Sequence, residues 1–187
     1  MTKKGVLYFK HESTEVNSVQ IETSRLMIRN FEPGDAGDLQ EILGDDEAMK
    51  NVEPAFSLEK TKHFLEDFCI GKGGAFAVVL KGSYKVIGYL LFKPVEEDVY
   101  EIGWIFNRHY WRNGYAYESS AALIRYGFRT WEIHKVIAET IDEEKSVGLM
   151  EKLGMKREGV QRKQRRDSEG NRRDLYLYGV LQEESER

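Results

Sequence analysis

The 187-residue chain has little of several things that would place it in a specialised class of protein. It contains one cysteine, Cys69, so no internal disulfide can form, which fits a reducing compartment. Cys69 lies in an apolar run, which favours a buried structural thiol over a nucleophile. No stretch approaches the roughly 18 apolar residues of a membrane span, and no apolar segment of the signal-peptide kind follows Met1–Lys4. We therefore expect a cytoplasmic protein that does not bind membranes.

The charged residues and the histidines exclude two further classes. A net charge of −4 and a pI near 5.7 argue against a protein that coats nucleic acid. The four histidines show no metal-ligand spacing, so we expect no metal. The charge is uneven, because residues 156–173 hold eight Lys or Arg against three Asp or Glu, a local net of +5. This segment is either a solvated hairpin or a rim that attracts a phosphorylated ligand.

Hydrophobic periodicity predicts one domain of mixed strands and helices. Residues 1–22 are polar and irregular, and we expect a flexible arm or an extra edge strand there, with a single domain over 23–187. The element order βααβββαβαββ combines a meander with helical crossovers, which implies an α+β fold, an α/β sandwich around one central sheet. The predicted strands are Arg25–Phe31, Ala75–Leu80, Val86–Phe92, Val99–Phe106, Lys135–Ile141, Lys156–Arg165 and Arg172–Leu181, and the predicted helices are Ala36–Leu43, Leu58–Ile70, Tyr115–Trp131 and Glu143–Leu153.

The strongest candidate for a binding site is the segment that joins the strand ending at Phe106 to the helix that Gly114 opens. The first turn of a helix has unpaired N–H groups and a partial positive charge, and a glycine lets an anion approach the backbone. Arg108 and Arg112 add donors suited to phosphate. The segment therefore has the chemistry of a pyrophosphate cradle, although a simple turn before a helix has the same pattern. It lacks the glycine spacing of dinucleotide folds and the Gly-Lys-Ser/Thr ending of a P-loop.

Five segments of the chain, taken together and in order, are more specific than any one of them. They are Thr23–Arg29, Glu101–Ile105, Trp111–Glu118, Ser146 with Glu151–Met155, and Glu158-Gly159 with Arg173-Asp174. They resemble, in turn, the T-x-R-L-x-L/I-R, E-I-G-Y/W, W-G-K-G-Y-A-T-E, S-x-x-x-x-E-K-L-G-F and E-G…D motifs of the GNAT superfamily of N-acetyltransferases. The likeness covers nearly the whole domain and is greatest to the Rim type, which acetylates the N-termini of ribosomal proteins.

The resemblance implies a mixed, mostly antiparallel sheet that splays between its fourth and fifth strands, which are Val99–Phe106 and Lys135–Ile141. Acetyl-CoA, as co-substrate, would lie in that gap, and no metal is implied. Homodimers are common among proteins of this kind. Backbone groups of the fourth strand would pair with the pantetheine arm, and the helix opening would hold the pyrophosphate. The implied cofactor-binding residues are Ile105, Phe106, Asn107, Arg112, Asn113, Gly114, Tyr115, Ala116, Tyr117, Ser146 and Lys152.

The implied reaction is direct attack of an amine on the thioester, so no protein nucleophile is required. The amine must lose a proton, and an α-amine with a pKa near 8 needs only a modest base. Glu101 is our candidate for this base, with a purely structural or substrate-orienting role as the alternative. A backbone N–H of Phe106 would stabilise the oxyanion.

The leaving thiolate requires a donor, for which many relatives use a tyrosine where this chain has Met150. Ser146 is our substitute, and an ordinary helix serine is the alternative. Glu143 stands where the family has an asparagine that supports the cofactor site.

Three functions therefore stay open. The acceptor is a protein N-terminus, or it is a small amine such as a polyamine or an antibiotic. Acidic walls around the acceptor pocket would favour a polycation, whereas the basic 156–173 segment favours CoA phosphates or an anionic acceptor. In the third hypothesis, the protein binds CoA without turnover. No nucleic-acid or membrane partner is expected.

Overall fold

A computed structural model describes residues 19–185, in which eight strands form one sheet. The predicted strand pattern is present, with an additional short strand at its start. That strand, β1, pairs antiparallel with β2 at the sheet edge, and the remainder of the predicted N-terminal arm lies outside the described residues. The strands are β1 Gln20–Glu22, β2 Leu26–Asn30, β3 Ala75–Leu80, β4 Lys85–Pro94, β5 Val99–Phe106, β6 Lys135–Thr140, β7 Lys156–Arg166 and β8 Arg172–Leu181.

Six helices flank the sheet in the described part of the chain, and local side chains explain where several of them begin. The Ser57 hydroxyl accepts the Lys60 N–H at 3.2 Å, and the Asp45 carboxylate accepts the Ala48 N–H at 2.9 Å. The helices are α1 Ala36–Leu43, α2 Asp46–Met49, α3 Leu58–Phe64 with a π-helical continuation over Leu65–Ile70, α4 Tyr115–Thr130, α5 Lys145–Lys152 and α6 Gln182–Ser185.

The sheet has the order β1-β2-β3-β4-β5-β6-β8-β7, and β5 with β6 is its parallel pair. That pair is short. Only Val99–Glu101 of β5 pairs with Lys135–Ile137 of β6, and no pairing continues along the rest of the two strands. The expected α+β fold is therefore confirmed, with a mostly antiparallel sheet that splays between the two strands for which the family resemblance implied it.

Each face of the sheet is covered by a separate hydrophobic core. One core packs α4 against side chains such as Ile102 and Phe106, which alternate along β5. The other packs α1 and α3 against the opposite face, where Ile105 and Tyr89 contribute. Two consecutive residues of β5, Ile105 and Phe106, thus pack into different cores, one on each face of the sheet.

Differences from the predicted elements are small and have local causes. Helix α5 begins at Lys145 rather than Glu143, because the Asp142 carboxylate accepts the N–H groups of Glu144 and Lys145 at 3.1 and 2.9 Å. The four-residue helices α2 and α6 were missed, since such short elements show no helical periodicity.

The basic segment 156–173 forms the exposed β7–β8 hairpin. Several of its cations already have acidic partners. Arg165 pairs with Glu139 at 2.6 Å, Arg173 pairs with Asp167 at 2.9 Å, and Lys156 contacts Glu184. These pairs favour the solvated-hairpin interpretation for the residues involved.

Across residues 19–185 no helix is both long enough and apolar enough to span a membrane.

Candidate active site

The loop between β5 and α4 folds back on the end of β5. A single 3₁₀ turn at Arg108–Tyr110 reverses the chain, and the Trp111 indole N–H then donates to the Phe106 carbonyl at 2.7 Å. The Asn113 carboxamide donates to the carbonyls of Tyr110 and Trp111 at 3.2 and 3.1 Å. These bonds hold the loop in one shape next to the splayed edge of the sheet.

Gly114 precedes α4 in a left-handed conformation, with φ +79. A side chain rarely adopts this conformation, which explains the glycine. The first hydrogen bond of the helix runs from the Glu118 N–H to the Gly114 carbonyl, and no side chain caps the helix start. The N–H groups of Tyr115, Ala116 and Tyr117 are therefore left without an intrahelical acceptor.

The geometry at this helix start fits an anionic ligand. A Cβ placed on Gly114 would meet nothing closer than an Arg25 nitrogen at 3.6 Å, so open space lies in front of the helix. Arg112 also has a positive φ of 62, which is strained for a residue other than glycine. Arg112 and Gly114 thus both have left-handed backbone in a three-residue turn, a conformation that also occurs in backbone turns that bind phosphate through their N–H groups.

The two arginines of this loop differ in what they contact. Arg112 forms no ion pair or side-chain hydrogen bond with another described residue, and its side chain is exposed. Arg108, from which we expected further phosphate donors, pairs instead with Asp45 at 3.0 Å and so faces the start of α2.

The edge of β5 that faces the gap is set by its register with β4. The Asn107 N–H donates to the Ile87 carbonyl of β4. Because backbone N–H directions alternate along a strand, the N–H of Ile105 also points toward β4. The N–H groups of Phe106 and Trp104 therefore point into the gap. Asn107 is 2% exposed, and its carboxamide binds Glu41 and the His109 N–H. These bonds argue against Asn107 as a cofactor ligand, a role that stays a prediction.

Glu101 lies at the point where β5 and β6 part, since its pairing with Ile137 is the last between the two strands. Its side chain is on the α1–α3 face, because it alternates with Ile102. Lys93, directly opposite on β4, places its ammonium 3.0 Å from the Glu101 carboxylate. The Glu101 side chain is 21% exposed and that of Lys93 is 42% exposed, so the pair is reached by solvent.

Tyr89 is a buried neighbour on this face that the sequence did not single out. Burial, with smaller contributions from charge at Cys69, Glu101 and Glu53, raises the pKa of the Tyr89 hydroxyl far above its ordinary value. The phenol is therefore neutral and within electrostatic reach of Glu101. Burial likewise raises the pKa of the Cys69 thiol to about 12, as expected for a structural cysteine rather than a nucleophile.

Helix α5 lies beside the loop between β5 and α4. Ser146 is half-buried in its first turn, and its hydroxyl has no hydrogen-bond partner among the described residues. Met150 is buried in the α4 core. Glu143 stands in the place of the family's asparagine, and burial, with a smaller contribution from Glu143, raises the pKa of the Tyr176 hydroxyl on β8.

Two lysines of α5 connect that helix to the β5–α4 loop. The Lys152 ammonium lies over the Tyr117 ring at 4.7 Å, and Lys145 lies over the Trp111 ring at 4.9 Å. The structure thus brings together the predicted residues at the start of α4 with Lys152, while Glu101 stands on the opposite face of the sheet. No group of three or more His, Cys, Asp or Glu side chains within residues 19–185 could hold a metal ion.

Comparison with known proteins defines the class of enzyme. The acetyltransferase (GNAT) domain model matches residues 25–156, which is well over half of the chain, and the chain therefore belongs to this family. The chain is 37% identical over 170 residues to the uncharacterized N-acetyltransferase YnaD of Bacillus subtilis, covering 89% of this chain and 99% of YnaD. It is thus an acetyl-CoA-dependent N-acetyltransferase whose acceptor is an amine.

Solved structures agree with this fold. An acetyltransferase of the GNAT family from Bacillus anthracis is 34% identical, with a TM-score of 0.83 over 89% of this chain and all of that one. The ribosomal-protein-S5-alanine acetyltransferase of Vibrio fischeri is 21% identical, with a TM-score of 0.74 over 88% of this chain and 97% of that one. The spermidine N-acetyltransferase of Vibrio cholerae, solved with CoA and spermine, is 20% identical, with a TM-score of 0.77 over 88% and 100%. At these identities the two Vibrio proteins show a shared fold alone.

Proposed function

We propose that the protein transfers the acetyl group of acetyl-CoA to a primary amine, with the cofactor held at the start of α4 and the amine presented by Glu101. The observation that carries the proposal is the uncapped start of α4, which has Gly114 in a left-handed conformation beside the unpaired edge of β5. Acetyl-CoA supplies an activated thioester, so the residues of this chain have only to bind, orient and exchange protons.

Residues at the helix start hold the pyrophosphate in this proposal. The N–H groups of Tyr115, Ala116 and Tyr117 donate to its oxygens, and Arg112 adds an exposed positive charge. Asn113 keeps the loop in shape through its carboxamide. Lys152 closes one side of the site above the Tyr117 ring.

The pantetheine arm lies along the unpaired edge of β5. Phe106 offers its N–H there, because its carbonyl is already engaged by Trp111. This N–H also stands where it can stabilise negative charge on the thioester oxygen. Ile105 contributes backbone shape rather than a donor, since its N–H is directed toward β4.

Glu101 receives the ammonium of the acceptor and takes its proton. The Lys93 ammonium 3.0 Å from its carboxylate stands in for that acceptor group and supports the ability of this carboxylate to hold an amine. Ser146, whose hydroxyl is without a protein partner, donates to the sulfur as CoA leaves.

A protein N-terminus is the first acceptor we propose, because an α-amine is partly neutral near pH 7 and needs only a modest base. It is also the acceptor of the Rim type, whose motifs the chain resembles.

A small polycationic amine is the second acceptor, and a specific cavity favours it. The cavity, of about 520 Å³, lies between α2 and the β7–β8 turn, where the Ser168 N–H donates to the Lys50 carbonyl. Asp45 and Arg108 neutralise each other there. The remaining charged residues that line the cavity are Asp46, Glu47 and Glu169 against Lys50, which leaves an acidic wall suited to a cation.

A panel assay tests the proposal and separates the acceptors. The full-length protein is incubated with acetyl-CoA and with peptides of varied N-termini, polyamines or aminoglycosides, and released thiol is followed. Thiol release with any amine supports the proposal, and the amine with the highest kcat/KM identifies the class of acceptor. Tight CoA binding without release across the panel would instead support a non-catalytic CoA-binding protein. Homodimer formation stays a prediction, which light scattering on the same sample tests.

A further inference from the structure

Glu118, in the first turn of α4, receives hydrogen bonds from three consecutive residues that lie far away in the sequence. The hydroxyls of Thr23 and Ser24 donate to its Oε1 at 2.6 and 3.2 Å, and the Arg25 backbone N–H donates to the same atom at 3.1 Å. These donors belong to the connection between β1 and β2. The start of α4 is therefore attached to the edge of the sheet that β1 and β2 form.

The Arg25 side chain completes the attachment and reaches the pyrophosphate loop itself. Its guanidinium binds Glu118 Oε2 through Nε at 2.7 Å and Nη2 at 2.6 Å. Its Nη1 donates to the Asn113 carbonyl at 2.9 Å, and its carbon Cζ lies 4.5 Å above the centre of the Tyr115 ring. One side chain thus contacts the residues immediately before and after Gly114.

The charge on Glu118 raises a problem that Arg25 solves. A carboxylate in the first helical turn would repel the phosphates that bind at the same helix start. Burial alone would raise the pKa of Glu118, but the hydrogen bonds from Thr23 and Arg25 outweigh it and hold that pKa below its ordinary value. The carboxylate is therefore ionised at neutral pH and is neutralised by a guanidinium rather than by a proton.

The guanidinium is also placed to affect the ligand site. Its Nη2 atom lies 3.6 Å from where a Cβ on Gly114 would stand, and the Arg25 side chain is 45% exposed. Glu118, at 16%, is far less exposed, so the positive member of the pair faces the loop and solvent.

We propose that Arg25 and Glu118 form a clamp of positioning residues that fixes the Asn113–Gly114–Tyr115 backbone for pyrophosphate and cancels the negative charge at the helix start. This assignment rests on the proposed cofactor site and gives the Thr23-Ser24-Arg25 segment a role in that site.

The decisive experiment compares two acetyl donors, acetyl-CoA and S-acetylpantetheine, which carries the thioester without the pyrophosphate. In Arg25→Met, we expect kcat/KM with acetyl-CoA to fall about ten- to a hundredfold, the range for lost hydrogen bonds to a charged group. With S-acetylpantetheine we expect a change of less than about twofold. Calorimetric titration with CoA measures the same loss in affinity without requiring turnover.

Matched variants separate the clamp from general effects of charge and stability. Lys60→Met removes an exposed cation of α3 that pairs with Glu53 and contacts neither the loop nor the Thr23-Ser24-Arg25 segment, and it should leave CoA affinity unchanged. Arg25→Lys should recover only part of the affinity, because a lysine cannot bind Glu118 and Asn113 in the same fork. Glu118→Gln in the Arg25→Met background should recover part of the affinity, because it removes the carboxylate that Arg25 no longer neutralises.

The outcomes distinguish this inference from the proposed function. If the wild-type protein fails to bind CoA, the cofactor site itself is refuted. If the wild type binds CoA and a folded Arg25→Met variant binds it equally well, only the clamp is refuted. An equal loss with both donors would also contradict the clamp, since it would indicate damage beyond the pyrophosphate.

Discussion

The two sides of the gap between β5 and β6, as we propose them, would bind ligands with different parts of the chain. On the cofactor side, the Arg112–Tyr117 loop and the edge of β5 offer mainly backbone N–H groups, held by hydrogen bonds to Arg25 and Trp111. On the proposed acceptor side, Glu101 and, separately, the cavity beside α2 offer charged side chains that solvent reaches.

This difference explains why the cofactor is easier to name than the acceptor. Backbone donors depend on a helix start and a left-handed glycine, so a short stretch of sequence predicts them, and the resemblance to the GNAT superfamily then implies the cofactor. Side-chain walls depend on which elements the fold brings together, and each substitution changes their charge. Four experiments test whether the two sides are in fact separable.

The largest effect is expected from Glu101→Gln on the acceptor side. Loss of the base should lower kcat about 10²- to 10⁴-fold with an amine acceptor, while the Kd for CoA stays unchanged. Thiol-release assays measure kcat, and calorimetry measures the Kd for CoA. Glu158→Gln, which removes a carboxylate paired with Lys135 at 2.6 Å, is the matched control. A change of less than about threefold in kcat would leave Glu101 with a structural role only.

Gly114→Val should weaken the binding of CoA at the start of α4. A branched residue at φ +79 costs roughly 1–2 kcal/mol and displaces the N–H groups, so CoA affinity should fall about tenfold or more. Gly82→Val places the same residue at φ +94 in the β3–β4 turn, where nothing lies within 4 Å. The control should lose a similar amount of stability and keep its affinity for CoA. Equal affinities in both variants would mean that the loop does not bind the pyrophosphate.

Ser146→Ala should reduce kcat by roughly tenfold, less than the 10²- to 10⁴-fold typical of a lost general acid, because a thiolate is a good leaving group. The KM values for both substrates should stay the same, since the hydroxyl acts late in the reaction. Ser83→Ala, in the exposed β3–β4 turn, is the control. An unchanged kcat would identify Ser146 as an ordinary helix serine.

The smallest effect is expected from Lys93→Met. Its ammonium competes with the acceptor for Glu101, and an exposed pair is worth about 0.2–1 kcal/mol, so the KM for a cationic amine should fall by up to about fivefold. Lys60→Met, which removes another exposed pair with Glu53, should not change that KM. A higher KM in Lys93→Met would show instead that Lys93 helps to hold the acceptor.

Particular residues show how far sequence reasoning reaches. It placed the start of α4 at Tyr115 and the end of β5 at Phe106, because both boundaries are coded locally by glycine and by alternation. It assigned Arg108 to phosphate, whereas the structure pairs Arg108 with Asp45 across the loop. It did not find the contact between Arg25 and Glu118, which are 93 residues apart and show no pattern that links them.

The sequence alone determined the longer elements and their order, because strands and helices depend on residues close together in the chain, and its resemblance to the GNAT superfamily implied the cofactor. Only the tertiary structure decided which charges meet: Lys93 with Glu101, Arg25 with Glu118, and the acidic wall between α2 and the β7–β8 turn. Such pairs depend on sheet register and on crossover connections, which bring distant residues within a few ångströms of one another, and no local pattern records them.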